Sequence, residues 1–228
     1  EPDMDEVAAS GATVAFLALP HGTAAQYAAA LLDRGLRVID LSADFRLREP
    51  SVYEEFYGEP HPTPGLLSTA VYGLPEIYPE AITSARLIAS PGCYPTSILL
   101  PLLPLLREGL VDPATIVANS LSGVSGAGRK ADLGLLFAEC NESVRAYGIP
   151  RHRHLSEIEQ ELSAAAGEKV TITFIPHLIP VNNGICTTTT ATLKGDFANV
   201  EHALRSTYEN SPFVRLLGRG ACPDTKNV

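Results

Sequence analysis

Between Thr13 and Leu41 the chain reads strand, turn, helix, strand. Thr13 to Leu19 is an unbroken apolar run of strand length, ended by Pro20-His21-Gly22. Ala24 to Arg34 follows as an alanine-rich helix closed by Gly35, and Leu36 to Leu41 is a second apolar run. Strands without apolar/polar alternation want both faces covered. Two of them joined through a helix within about 30 residues form a βαβ unit with parallel strands. This pattern predicts an α/β fold.

Further along, residues 46–82 show no sustained period and read as a long ordered loop region with short elements, tied down by Tyr53, Phe56, Tyr57, Tyr72 and Tyr78. Such long connections in a compact domain are usually functional. Arg86 to Ala89 is a short strand, and a leucine-rich helix is expected over 96–107, kinked or shortened by Pro101 and Pro104. Ala114 to Ser120, Val170 to Ile175 and Ile185 to Leu193 read as strands. Ser156 to Ala166, capped by Ser156, and Asn199 to Glu209 read as helices. The expected organisation is a parallel βαβ remnant over 1–92 and an α+β unit with a mixed sheet over 93–228.

With 228 residues, 45% hydrophobic and 19% charged, the chain has enough apolar matter for a core, which excludes wholesale disorder. A net charge of −9 repels phosphodiester and anionic lipid, so neither nucleic acid nor a membrane surface is an expected partner. Four cysteines without CxxC spacing suit a reduced, cytoplasmic protein.

Cys93 is the sharpest chemical feature. It follows a strand, sits in the Pro91-Gly92 turn and precedes a helix, where helix N–H groups favour thiolate over thiol. A buried structural cysteine is the alternative. His152 and His154, just before a helix carrying Glu157, are natural acid/base partners for a thiol. Taken as a metal set they lack a completing cluster, so no metal is expected. In the segment Ser122 to Gly128 small residues would let backbone N–H groups converge on an anion, with Arg129 and Lys130 as countercharge. Ser125 lies in an imperfect nucleophile elbow, which leaves a hydrolase using Ser125 with a histidine and Asp44 or Asp132 as an alternative. Asp40 to Leu47 places small and charged groups at a strand's C-terminal end, where α/β sheets take ligands.

These residues fall into ordered motifs. They are Leu17-Ala-Leu-Pro-His-Gly22, Asp40-Leu-Ser-Ala-Asp-Phe-Arg46, Tyr72-Gly-Leu-Pro-Glu76, Pro91-Gly-Cys-Tyr-Pro-Thr96, Ser122-Gly-Val-Ser-Gly-Ala-Gly128, His152-Arg-His-x-x-Glu-Ile-Glu-Gln160 and Pro176-His-Leu-Ile-Pro180. Together they resemble the N-acetyl-γ-glutamyl-phosphate reductase family, the arginine-pathway relative of aspartate-semialdehyde dehydrogenase.

The resemblance implies a partial Rossmann-like parallel sheet and an α+β catalytic and dimerisation domain, assembling as a homodimer or homotetramer. It implies NADPH-dependent reduction of an acyl phosphate through a thioester on Cys93, with His154 as acid/base and His152 as fallback. Ser122, Gly123, Ser125, Gly126, Arg129 and Glu157 match the substrate and phosphate region. Pro20, His21, Gly22, Ser42, Pro91 and Gly92 match the approach to the nicotinamide end of the cofactor. Aspartyl phosphate as substrate, or a fragment acting only in binding and assembly, are the competing implications. The family's N-terminal glycine-rich fingerprint and its final helix do not occur, so the chain is expected to be a fragment. Asn183 stands where an arginine is expected.

Overall fold

The computed structural model describes residues 3–129 and 131–227, and the chain divides into two compact units, Glu1–Gly92 and Cys93–Val228. In the first unit, α1 (Met4–Ala9) precedes β1 (Val14–Leu17), α2 (Thr23–Asp33) and β2 (Arg37–Asp40). Then come α3 (Pro50–Tyr57), β3 (Ala70–Tyr72), α4 (Pro79–Ser84) and β4 (Leu87–Ala89). The four strands form one parallel sheet in the order β1-β2-β4-β3. The helix of the βαβ unit packs through alanine: Ala24, Ala25 and Ala28 are fully buried beside Leu31, against Leu17, Val38, Leu87 and Ala89. Three of the four buried helix residues carry only a methyl group, so the alanine-rich sequence gives the helix a small buried face to lay on the sheet.

The acidic start contains a one-and-a-half-turn helix, with the Asp3 side chain accepting the Asp5 N–H at 2.8 Å. The region 46–82 holds two helices and an edge strand. β3 has only three residues, too few to show a period, and it exists by pairing with β4. The C-terminal ends of β1, β2 and β4 lead into Pro20–Gly22, Leu41–Asp44 and Ser90–Gly92, the end at which such sheets take ligands.

The second unit contains α5 (Cys93–Arg107), β5 (Val117–Ser122), α6 (Phe137–Cys140), β6 (Arg145–Ala146), α7 (Arg153–Ala166), β7 (Thr173–Leu178), β8 (Ile185–Thr190) and α8 (Phe197–Tyr208). Its sheet is mixed, in the order β6-β7-β5-β8. β5 runs parallel to β7 and antiparallel to β8. Ala118, Ser120, Ser122, Phe174 and Leu178 are buried on one face, while α5 packs on α7, α8 and β8.

α5 runs unbroken through both prolines and begins earlier than expected, at Cys93. Pro104 has no N–H to offer the Leu100 carbonyl four residues back. The Tyr208 hydroxyl, on α8, donates to that carbonyl instead. The expected interruption is thus repaired by a residue 104 positions later in the chain, out of reach of any local reading (208 − 104).

Candidate functional site

Cys93 is the first residue of α5, is exposed and takes no part in a disulfide. The first turn of a helix presents N–H groups without intrahelical partners, which favour a negative sulfur. The next residue, Tyr94, is buried, and its ring is ringed edge-on by His152 at 5.5 Å, His154 at 5.9 Å and Phe174 at 5.3 Å between centroids. The Tyr94 hydroxyl hydrogen-bonds the Tyr147 hydroxyl at 2.7 Å and also engages the side chain of Ser122. Burial holds both phenols above the usual tyrosine range, and the charge of nearby Cys93 pushes the same way. Both therefore remain protonated O–H groups beside the thiol.

The two histidines are not equivalent. α7 starts at Arg153 rather than at Ser156, because the N-cap is His152: its Nδ1 accepts the backbone N–H of His154 at 3.1 Å. Ser156 instead is buried, its hydroxyl donating to the Arg153 carbonyl at 3.0 Å. Burial first, and the neighbouring Arg153 charge second, push the His152 imidazole down to about 4. His152 is thus a neutral capping group. His154 and Glu157, three residues apart, share one face of α7, with Glu157 buried.

The segment Ser122–Gly128 does not form the expected anion nest. The N–H groups of Gly123, Val124 and Ser125 donate to the carbonyls of Gly184, Val181 and Asn182 at 3.0, 2.9 and 2.9 Å. Those of Gly126 and Gly128 donate back to Gly123 and Ser125. These donors are spent on joining two loops. Gly123 is required there, since a Cβ would stand 2.7 Å from the Asn182 carbonyl oxygen. The Ser122 hydroxyl donates to the Gly123 carbonyl. Ser125 and Arg129 remain exposed, Asn183 lies on the facing turn, and Lys130 lies outside the described residues.

In the first unit, His21 is exposed and packs its ring 5.4 Å from Tyr57, beside the exposed Pro20. Ser42 is buried and its hydroxyl is engaged within the protein: it donates to Asp40 at 2.8 Å and accepts the Asp44 N–H at 3.1 Å. Gly22, at φ +80°, donates its N–H to Asp44 Oδ1 at 2.7 Å. A dinucleotide's pyrophosphate therefore does not fit at the start of α2, where the donors are taken. The Pro20-His21 face of the turn presents two rings and no carboxylate, ammonium or guanidinium group, which suits a flat ring. Pro91 is half-buried and Gly92 buried.

Tyr94 and Tyr147 did not emerge from the sequence reading. The signal for Tyr94 is its place directly after Cys93; Tyr147 has none, being brought in by the pairing of β6 with β7.

Residues 93–228 match the family model described as semialdehyde dehydrogenase, dimerisation domain, and residues 1–85 match semialdehyde dehydrogenase, NAD binding domain. The chain belongs to the semialdehyde dehydrogenase family. A protein of Akkermansia muciniphila named N-acetyl-gamma-glutamyl-phosphate reductase is 64% identical over 230 residues, covering 100% of this chain and 66% of that protein. One of the same name from Moorella thermoacetica is 53% identical over 95% of this chain and 63% of its own length. The chain thus spans just under two thirds of these relatives. Among solved structures, aspartate semialdehyde dehydrogenase II of Vibrio cholerae superposes with a TM-score of 0.64 at 17% identity, covering 91% of this chain and 63% of that one. A probable aspartate-semialdehyde dehydrogenase of Pseudomonas aeruginosa gives 0.64 at 20% identity, covering 98% and 66%. These two show the shared fold. No described helix is long and apolar enough to cross a membrane.

Proposed function

We propose that this chain carries the nucleophile and substrate machinery of an NADPH-dependent N-acetyl-γ-glutamyl-phosphate reductase. The observation that carries the reading is Cys93 exposed at the first residue of α5, directly before a tyrosine caged by His152 and His154, in a chain 64% identical to a relative of that name.

The Cys93 sulfur attacks the acyl carbon; the S–C bond forms, the C–O bond to phosphorus breaks, and inorganic phosphate leaves. The position of Cys93 at the start of α5, where the helix dipole favours negative charge, favours the thiolate before attack. Bound NADPH supplies the hydride that brings the acyl carbon to the aldehyde level. His154 gives a proton to the carbonyl oxygen and takes it back as the thiolate departs; His152, held neutral as a cap, keeps the start of α7 in place. Exposed Ser125 and Arg129 meet the charged groups of the substrate, with Glu157 behind His154. The Pro20-His21 turn and the Pro91-Gly92 turn serve the nicotinamide end of the cofactor.

The domain division at 92/93, a homodimeric or homotetrameric assembly and a cytoplasmic location belong to the same reading. The family model's dimerisation domain supports the assembly, and its start at residue 93 supports the division. The test is phosphate-dependent oxidation of aldehydes by the full-length enzyme with NADP. N-acetylglutamate semialdehyde should turn over and aspartate semialdehyde should not; the reverse preference would overturn the substrate assignment.

A further inference from the structure

The start of α2 is already occupied by an anion from within the protein. The Asp44 side chain is fully buried; Oδ1 accepts the Gly22 N–H at 2.7 Å and the Tyr53 hydroxyl at 3.0 Å, and Oδ2 accepts the Ala25 N–H at 2.9 Å. The two remaining N–H groups of that turn, from Thr23 and Ala24, donate to the Pro20 carbonyl at 3.3 Å each. Every donor that a helix N-terminus would offer a phosphate is thus taken.

The arrangement is built, and it is held from behind. His61 Nε2 bonds the Asp44 carbonyl at 2.7 Å, while its Nδ1 accepts the Thr63 N–H at 3.1 Å. Tyr53 stacks on Tyr57 at 4.7 Å, and Tyr57 in turn meets His21. Buried Asp40 lies four residues before Asp44 in the chain. Two acids at this strand end oppose a second negative group.

We propose that Asp44 is a positioning residue: it is the resident anion of α2, it fixes the Pro20–Gly22 turn, and it keeps the cofactor's phosphates off this helix so that the turn meets only the nicotinamide portion. The cofactor half of this statement rests on the reductase reading above. The exclusion of phosphate stands on the hydrogen bonds alone.

The test uses inorganic phosphate as probe and the amide resonances of Gly22 and Ala25 as readout. In the wild-type chain, phosphate should leave both resonances unmoved. In Asp44→Ala, the vacated N–H groups should take phosphate, so both resonances shift with added phosphate and the melting temperature rises. Phosphate moving Gly22 and Ala25 in the wild type would overturn the proposal, as would a folded Asp44→Ala variant that ignores phosphate. Tyr53→Phe keeps the carboxylate and removes one donor, and it decides the matter should Asp44→Ala not fold. In the full-length enzyme the KM for NADPH should rise about fivefold at unchanged kcat, the equivalent of one net hydrogen bond. An unchanged KM would overturn the positioning role. Acylation of Cys93 needs no cofactor, so failure of the reductase reading shows separately in that reaction.

Discussion

The Nδ1 of His152 accepts the backbone N–H of His154 at 3.1 Å, so one histidine of the pair caps the helix that carries the other. The cap bond fixes the His152 ring with its proton on Nε2, and burial holds the ring neutral. Two histidines that look alike in sequence therefore have separate duties.

The division gives a pH signature. Free histidine titrates near 6.5, whereas folded His152 is pushed down to about 4, so the unfolded chain binds this proton more readily than the native one. The contribution to stability is present above pH 6.5 and is lost as pH falls from 6.5 towards 4. In His152→Asn, whose side-chain oxygen can also cap, that component of the pH dependence should vanish, as followed by urea denaturation at a series of pH values.

Substitution should separate the two further. His152→Ala removes the cap and should cost about 1 kcal/mol of stability. His154→Ala should instead lower kcat by roughly two to four orders of magnitude in the full-length enzyme, with little change in stability. Equal kinetic losses at both positions would contradict the assignment.

Tyr208 and Pro104 should be coupled. Tyr208→Phe takes this donor from the part-buried Leu100 carbonyl and should cost about 1 kcal/mol. Adding Pro104→Ala restores a main-chain N–H to the same carbonyl, so the cost of Tyr208→Phe should shrink in that background. A double-mutant cycle by chemical denaturation measures the coupling.

Gly123 and Gly126 should differ in tolerance. A Cβ at Gly123 collides with the Asn182 and Asn183 backbone, whereas at Gly126 it meets only the Ser122 hydroxyl at 2.8 Å, a side chain that can turn. Gly123→Ala should lose about 2 kcal/mol or more and Gly126→Ala clearly less, as read from thermal melts.

Much of this was legible from local pattern. The βαβ unit follows from two apolar runs flanking an alanine-rich helix, and Cys93 stood out because a Pro-Gly turn and a helix bracket it. What escaped reading depended on partners far along the chain. β3 exists only by pairing with β4. α5 survives Pro104 because Tyr208 answers Leu100, and the small residues of 122–128 donate to 181–184 instead of to an anion. The start of α7 was misplaced because Ser156 has the better capping chemistry on paper, while His152 has the geometry. The sequence marks Asp44 as a charge at a strand end and as a candidate partner of Ser125; its capping of α2 spans 22 residues and has no sequence signature.

The central claim is that Cys93 forms the acyl-enzyme, and its most direct test uses the second exposed cysteine as an internal control. Cys93 and Cys222 are both exposed, so access alone does not distinguish them. The protein is mixed with N-acetylglutamyl 5-phosphate without NADPH, quenched in acid, digested and read by mass spectrometry. The account predicts one N-acetylglutamyl group as a thioester on Cys93, with release of phosphate and none on Cys222. Equal labelling of the two cysteines, or acylation elsewhere with Cys93 unmodified, would contradict it.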